Sequence, residues 1–220
     1  MRVRNMATPS KEVNIVICGV GGQGVVLMSE LLGHAAVQDG LKILGSEVLG
    51  MAQRGGPVFS NIRIGSDVYA PLTPEGKGDL MVAVEPSEAL RNITFLSKSS
   101  LVVLNTRKVI PYTVSSGESG YPSLEVIMAR LNQAAKKVMV LDAAHLAEEA
   151  GHLQSTNVVM LGALFGTRQM PIQTETINRT IAERFSPKVA DVNIRAFGLG
   201  YEAIRKTISC EECFKEGAMN

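Results

Sequence analysis

The chain has 220 residues, 45% of them hydrophobic and 20% charged, with no Trp and a formal net charge of +1. That length can bury a sizeable core in one main domain, and the near-neutral balance gives no pull toward nucleic acid or an anionic membrane. Three cysteines, only two of them close in sequence, do not make a secreted disulfide framework. The basic start is followed by no apolar stretch long enough for a signal peptide. The most apolar later run, Val158 to Phe165, is too short to span a bilayer. The expectation is a reduced, cytoplasmic protein with no nucleic acid or membrane among its partners.

Residues 1–12 read as a flexible polar arm. Val13–Cys18 (VNIVIC) is a β-branched run, the mark of a strand buried on both faces. A glycine turn follows, and Gly22–Gln38 is rich in helix formers, with an apolar face from Val25 to Ala35 and a stop at Asp39-Gly40. Leu41–Val48 is the next strand. Val58–Ile64 alternates as a half-exposed strand would. Pro71, Pro74, Gly76 and Gly78 mark a loop, Leu80–Val84 a buried strand, and Pro86–Phe95 a short helix opened by proline. Leu101–Asn105 is a strand and Pro111–Pro122 a surface loop. Ser123 caps a helix through Ala135 with Glu125 in its first turn. Val138–Asp142 is the last strand, Ala143–Ala150 a helix stopped by Gly151. Three helices complete the pattern, at Asn157–Phe165, Thr174–Phe185 and Lys188–Ile208. Strands alternating with helices predict an α/β fold: an open, mostly parallel Rossmann-like sheet with flanking helices and a helical C-terminal third.

Two glycine-rich turns about thirty residues apart carry the chemistry: Gly19-Val20-Gly21-Gly22-Gln23-Gly24 and Gln53-Arg54-Gly55-Gly56. The first fits the Gly-x-Gly-x-x-Gly spacing between a strand and a helix. A helix N-terminus offers unpaired N–H groups and partial positive charge, and glycines let a phosphate approach. A tight turn that binds nothing has the same spacing. Glu47, at the end of the second strand, stands where an acidic residue would meet a ribose. A self-sufficient NAD(P)-dependent dehydrogenase is therefore an alternative, although no His, Lys or Tyr is placed for hydride chemistry. A scaffold that touches no ligand is another.

GVGGQGVVLMSELL followed by SEVLGMAQRGGPVFSNIRIG closely resembles the gamma-type domain of 2-oxoacid:ferredoxin oxidoreductases. The MAQRGG form is most similar to the small (beta) subunits of the indolepyruvate enzymes. EPSEALRN, LVVLN and NVVMLGAL continue the resemblance across about residues 13–206, within a domain bounded at 13–208 and a C-terminal tail at 209–220. The resemblance implies a subunit rather than a complete enzyme. Such enzymes decarboxylate a 2-oxoacid on thiamine diphosphate, pass electrons through iron–sulfur clusters to ferredoxin, and transfer the acyl group to coenzyme A. A Cys₄ cluster needs four thiolates, and only Cys18, Cys210 and Cys213 are present. The Gly-Asp-Gly…Asn pattern that holds magnesium and thiamine diphosphate is also missing. No cofactor is expected on this chain alone. Thiamine diphosphate, Mg and 4Fe–4S clusters are expected on a large (alpha) partner subunit, with coenzyme A as co-substrate and ferredoxin as acceptor.

By the same resemblance, Gly21, Gly22, Gln23 and Gly24 meet the phosphate or pantetheine part of coenzyme A, Gln23 especially. Gln53 and Arg54, with Gly55 and Gly56, face the ligand or the partner from the second turn. Arg54 could equally pair with a carboxylate of that partner. Asn157 donates to the cofactor arm or caps its own helix. No catalytic residue and no metal ligand is expected on this chain. His145, Glu148 and His152 share a helical spacing, but Gly151 interrupts it before a metal site could form. Cys210-x-x-Cys213 is read as part of the tail beyond the last helix, and Glu211 and Glu212 beside it disfavour a thiolate.

Overall fold

The run Val13–Val20 (VNIVICGV) forms the central strand β1, buried from Asn14 to Val20. A computed structural model of the protein describes residues 12–50, 55–110, 114 and 120–217, with side chains through 210. After β1 come α1 (Val25–Gln38), β2 (Ile43–Leu49), β3 (Pro57–Ile64), β4 (Leu80–Ala83) and α2 (Pro86–Arg91). The chain continues through β5 (Leu101–Asn105), α3 (Leu124–Ala134), β6 (Lys137–Leu141) and α4 (Ala143–Ala150). It ends in α5 (Thr156–Gly166), α6 (Thr174–Arg184) and α7 (Pro187–Gly217). Short 3-10 turns lie at Ile93–Phe95 and Leu153–Ser155.

The six strands form one sheet in the order β2-β3-β1-β4-β5-β6. β1, β4, β5 and β6 pair in parallel. β3 runs antiparallel between β1 and β2, so it alone opposes the common strand direction. The open, mostly parallel α/β architecture is the one the alternating pattern predicts.

Alternate residues of each central strand enter separate cores. Ile15, Ile17, Leu80, Val82 and Val103 pack with α1, α4, α5, α6 and α7. Val16, Cys18, Met81, Ala83, Val102 and Leu104 pack with α2 and α3 on the other face. This two-sided burial explains why those strands read as continuous apolar runs. α5 is apolar on all sides because α7 covers the face turned away from the sheet, and every residue from Asn157 to Gly166 is buried. A β-carbon at Gly162 would overlap the carbonyl of Phe197, and one at Gly200 the carbonyl of Val159. Glycine is what lets the two helix backbones touch.

Local signals account for most of the ends. Ser123 accepts the Val126 N–H as the cap of α3, Asp142 accepts the His145 N–H at 3.0 Å, and Gly151 closes α4 at φ +119. Three expectations are corrected. β3 is more buried than its alternation implies, because β1 and β2 flank it and Thr73, from the loop after it, is buried beside Asn61. α1 starts at Val25, not Gly22, since Gly22 and Gly24 have φ of +94 and +75. α7 continues past Ile208 to Gly217, so Cys210 and Cys213 lie on a helix and not beyond it.

Candidate functional site

The chain leaves β1 into α1 on one face of the sheet and leaves β4 into α2 on the other. Neighbouring parallel strands that diverge in this way open a crevice at their C-terminal ends, the usual ligand position in open α/β sheets. Both glycine turns are at this edge. Gly21 N–H donates to Gly56 C=O at 2.8 Å and Gly55 N–H donates to Gly21 C=O at 3.2 Å. The two turns, distant in sequence, are thus one hydrogen-bonded unit. The second is the tip of the β2–β3 hairpin, closed by Gly50 N–H to Pro57 C=O at 2.8 Å.

Gln23 does not extend outward. Its Oε1 accepts the Val20 N–H at 2.9 Å and its Nε2 donates to Val84 C=O at 3.4 Å. A β-carbon on residue 19 would lie 2.8 Å from Gln23 Oε1, which makes glycine the fitting residue there. Asn105 Nδ2 donates to the same Val84 carbonyl at 3.0 Å, and its Oδ1 accepts the Ala143 N–H at 3.1 Å. Two side-chain amides therefore lace together the ends of β1, β4 and β5 and the start of α4.

Asn157 packs onto the first turn from behind. It is buried to 5% exposure, and its Nδ2 reaches Gly24 C=O at 3.5 Å. It is not the cap of its helix: Ser155 holds the cap position and Asn157 is the second residue of α5. The structure brings together Gly21, Gly22, Gln23, Gly24, Gly55, Gly56 and Asn157. Gln53 and Arg54 lie outside the described residues.

In front of the turn is a hollow of about 630 Å³, lined by Gly21, Gly22, Gly24, Val26, Leu27 and Leu49 among others. The Glu30–Arg184 ion pair, at 3.0 Å, contributes to its wall. α1 points its N-terminus into the hollow and carries no acidic residue in its first turn. Its first N–H groups lack intrahelical partners and its dipole is not offset there, so the hollow suits an anion. Leu27, Glu30 and Arg184 escape the sequence reading because helix spacing and a distant α6, not a motif, bring them here.

On the opposite face the motif around Pro86 has a role that sequence reading also misses. Glu85, fully buried, caps α2: its Oε2 accepts Ser87 N–H at 2.7 Å, Ser87 O–H at 2.6 Å and Glu88 N–H at 3.1 Å. Its Oε1 accepts Tyr121 O–H at 2.5 Å and Val109 N–H at 3.3 Å. An acid directly before Pro-Ser-Glu was the available signal. Burial pushes the Glu88 carboxyl up to about 7, against the pull of Arg91 at 3.0 Å and with a further push from Glu85. Burial also raises the Cys18 thiol. Among the described residues no three His, Cys, Asp or Glu side chains come together as metal ligands, and no helix is long and apolar enough to cross a membrane.

The pattern of the pyruvate ferredoxin/flavodoxin oxidoreductase family matches residues 14–203. The chain belongs to this family. Indolepyruvate oxidoreductase subunit IorB of Archaeoglobus fulgidus is 46% identical over 189 residues, covering 86% of this chain and 94% of that one. The crystal structure of pyruvate oxidoreductase subunit PORC from Thermotoga maritima shares the fold with a TM-score of 0.67 and 24% identity, over 88% of this chain and 97% of that one. The 2-oxoglutarate:ferredoxin oxidoreductase of Magnetococcus marinus, solved with 2-oxoglutarate, coenzyme A and succinyl-CoA bound, includes the same fold at a TM-score of 0.70 and 18% identity. That match covers 90% of this chain and 32% of that larger one.

This member of the pyruvate ferredoxin/flavodoxin oxidoreductase family is an oxidoreductase subunit, since it aligns with almost the full length of relatives that are themselves subunits. The strand order shows why the dinucleotide reading of Glu47 fails on geometry. That reading needs the acid on the parallel strand next to β1. Here the antiparallel β3 intervenes, and Glu47 is exposed opposite Ser60, one strand too far out.

Proposed function

We propose that this chain is the small subunit of a thiamine diphosphate- and iron–sulfur-dependent 2-oxoacid:ferredoxin oxidoreductase. It would act in the cytoplasm in the oxidative decarboxylation of an aryl pyruvate such as indolepyruvate to its acyl-CoA. Thiamine diphosphate, magnesium and the 4Fe–4S clusters belong, on this reading, to a larger partner subunit, with ferredoxin as acceptor. This chain closes the active site and helps to position coenzyme A. The likeness to IorB supports the substrate class, and the coenzyme A held by the Magnetococcus marinus enzyme supports the co-substrate.

One observation carries the coenzyme assignment: a helix N-terminus with no acid in its first turn, fronted by Gly22 and Gly24, opens onto the hollow at the sheet edge. The backbone of Gly21, Gly22 and Gly24 meets the phosphates. Gly55 and Gly56 approach from the β2–β3 hairpin, and the family resemblance assigns Gln53 and Arg54 to the same ligand or to the partner. Gln23 and Asn157 act as positioning residues that hold the turn open. Acyl transfer needs the thiol of coenzyme A aligned with the acyl group, and fixing the phosphate end removes most of that orientational freedom.

Residue 22 offers a clean test, because it is exposed and a β-carbon there meets nothing within 4 Å. Asn and Asp share the strain that its φ of +94 imposes, and only Asp adds charge. In the assembled enzyme, Gly22→Asp should raise the KM for coenzyme A about tenfold while Gly22→Asn stays near wild type. Equal constants for the two variants, or full activity of the large subunit without this chain, would sink the proposal.

A further inference from the structure

A second cavity lies behind the first, between the 3-10 turn at Leu153–Ser155 and the start of α7. It encloses about 520 Å³, and Leu27 is a wall of both. Its apolar side is formed by Leu27, Val158, Phe185 and Val192. Its polar side is formed by amides and a cation, with no carboxylate in the lining.

Several features give this cavity one electrostatic sign. The N-termini of α5, of 11 residues, and α7, of 31 residues, both open onto it through Ser155, Asn157, Lys188 and Val189. The cap position of α5 makes no side-chain hydrogen bond to the helix. Asn193 is only 4% exposed, and its Oδ1 accepts the Ser155 hydroxyl at 2.7 Å. Among the described residues its Nδ2 has no partner. Asn193 lines the cavity, so this amide N–H is a donor left for a bound acceptor. The ammonium of Lys188 at the rim also has no ion-pair partner among the described residues. His152 Nδ1 accepts the Gln154 N–H at 3.1 Å, which leaves Nε2 as the donor of the neutral ring.

We propose that this cavity is a second small-molecule site, for an organic carboxylate with an apolar, ring-sized body. The carboxylate meets Lys188 and the Asn193 amide beneath the two helix N-termini. The ring lies between Leu27 and Phe185. A volume of this size lies within the range of small-organic-ligand pockets. The inference is independent of coenzyme A binding at the glycine edge. A site that shares the Leu27 wall would sense an aryl acid beside the reaction chamber.

The probe is indole-3-acetate, titrated into the full chain by calorimetry and by ligand-observed NMR. Expected is one saturable site. Lys188→Glu should weaken it about tenfold or more, since this variant replaces an attraction by a repulsion on an exposed side chain. Asn193→Leu should weaken it comparably, with circular dichroism and melting temperature reporting whether the fold survives; Lys188→Glu alone carries the test if it does not. Gly22→Asp should leave it unchanged, which separates this site from the glycine hollow. The proposal is overturned by absence of saturation, by equal affinity in wild type and Lys188→Glu, or by simple competition from coenzyme A. Competition would assign the cavity to one end of the coenzyme instead.

Discussion

Asn157 occupies the space that a β-carbon on residue 24 would fill. Gly24 is therefore glycine for two separate reasons, its φ of +75 and the amide lying against it. Gly24→Ala should cost about 1–3 kcal/mol. Asn157→Gly removes the collision but not the backbone strain, so it should recover part of that loss. A double-mutant cycle by urea unfolding should give a coupling above about 0.5 kcal/mol. Strict additivity would mean that the two residues do not press on each other.

Gln23 holds the other side of the same turn. Gln23→Leu leaves the buried Val20 N–H and one bond to the Val84 carbonyl unmade. The expected loss is about 1–2 kcal/mol in urea unfolding, with a raised KM for coenzyme A in the assembled enzyme. A variant of unchanged stability that loses coenzyme binding would show that Gln23 touches the ligand and not the turn.

Glu88 makes stability depend on pH in an unusual direction for a carboxylate. Its folded pKa, about 7, lies above the ordinary 4.5, so the folded state holds the proton more tightly than the unfolded chain does. Its contribution is fully present below about pH 4.5 and is lost as pH rises through 7. The span is on the order of 3 kcal/mol. Glu88→Gln keeps the shape of the protonated form. Urea midpoints should be similar at pH 5 for both proteins and higher for the variant at pH 8. Parallel curves across that range would remove Glu88 as the cause.

Gly162→Val should be the most damaging single change proposed here. A β-carbon at 162 overlaps the Phe197 carbonyl, so α5 and α7 would have to separate along a fully buried contact. A loss of about 3 kcal/mol or more is expected. Gly33, where a β-carbon meets nothing within 4 Å, is the control: Gly33→Ala should be neutral or stabilising by up to about 1 kcal/mol. Thermal melts of the two variants decide it.

The legible parts of this molecule are those written in local chemistry. The β-branched run at β1, Ser123 before α3 and Gly151 after α4 each state their structure within a few residues. The glycine turns are equally plain as turns. Their pairing through Gly21 and Gly56 is not, because backbone hydrogen bonds leave no residue preference that marks the partner. The same limit hides the destination of an amide. Gln23 and Asn157 are expected as ligand contacts from the family resemblance, and the hydrogen bonds they make here run to the chain's own backbone. Glu85 is the converse, a buried acid whose five partners come partly from Val109 and Tyr121, more than twenty residues away. The insertion of β3 between β1 and β2 is likewise a matter of topology, and it moves Glu47 away from where strand order alone would put it.

The hairpin that carries the second turn is closed by Gly50 and Pro57 and joined to β1 through a continuous ladder. Gly55 and Gly56 are in turn held to Gly21 through backbone groups alone. Contacts of that kind read no side chain, so they set no residue type at the partner position while the cores beneath stay unaltered. On the proposed reading of this edge, a change of partner there would need no refolding of the protein that presents it.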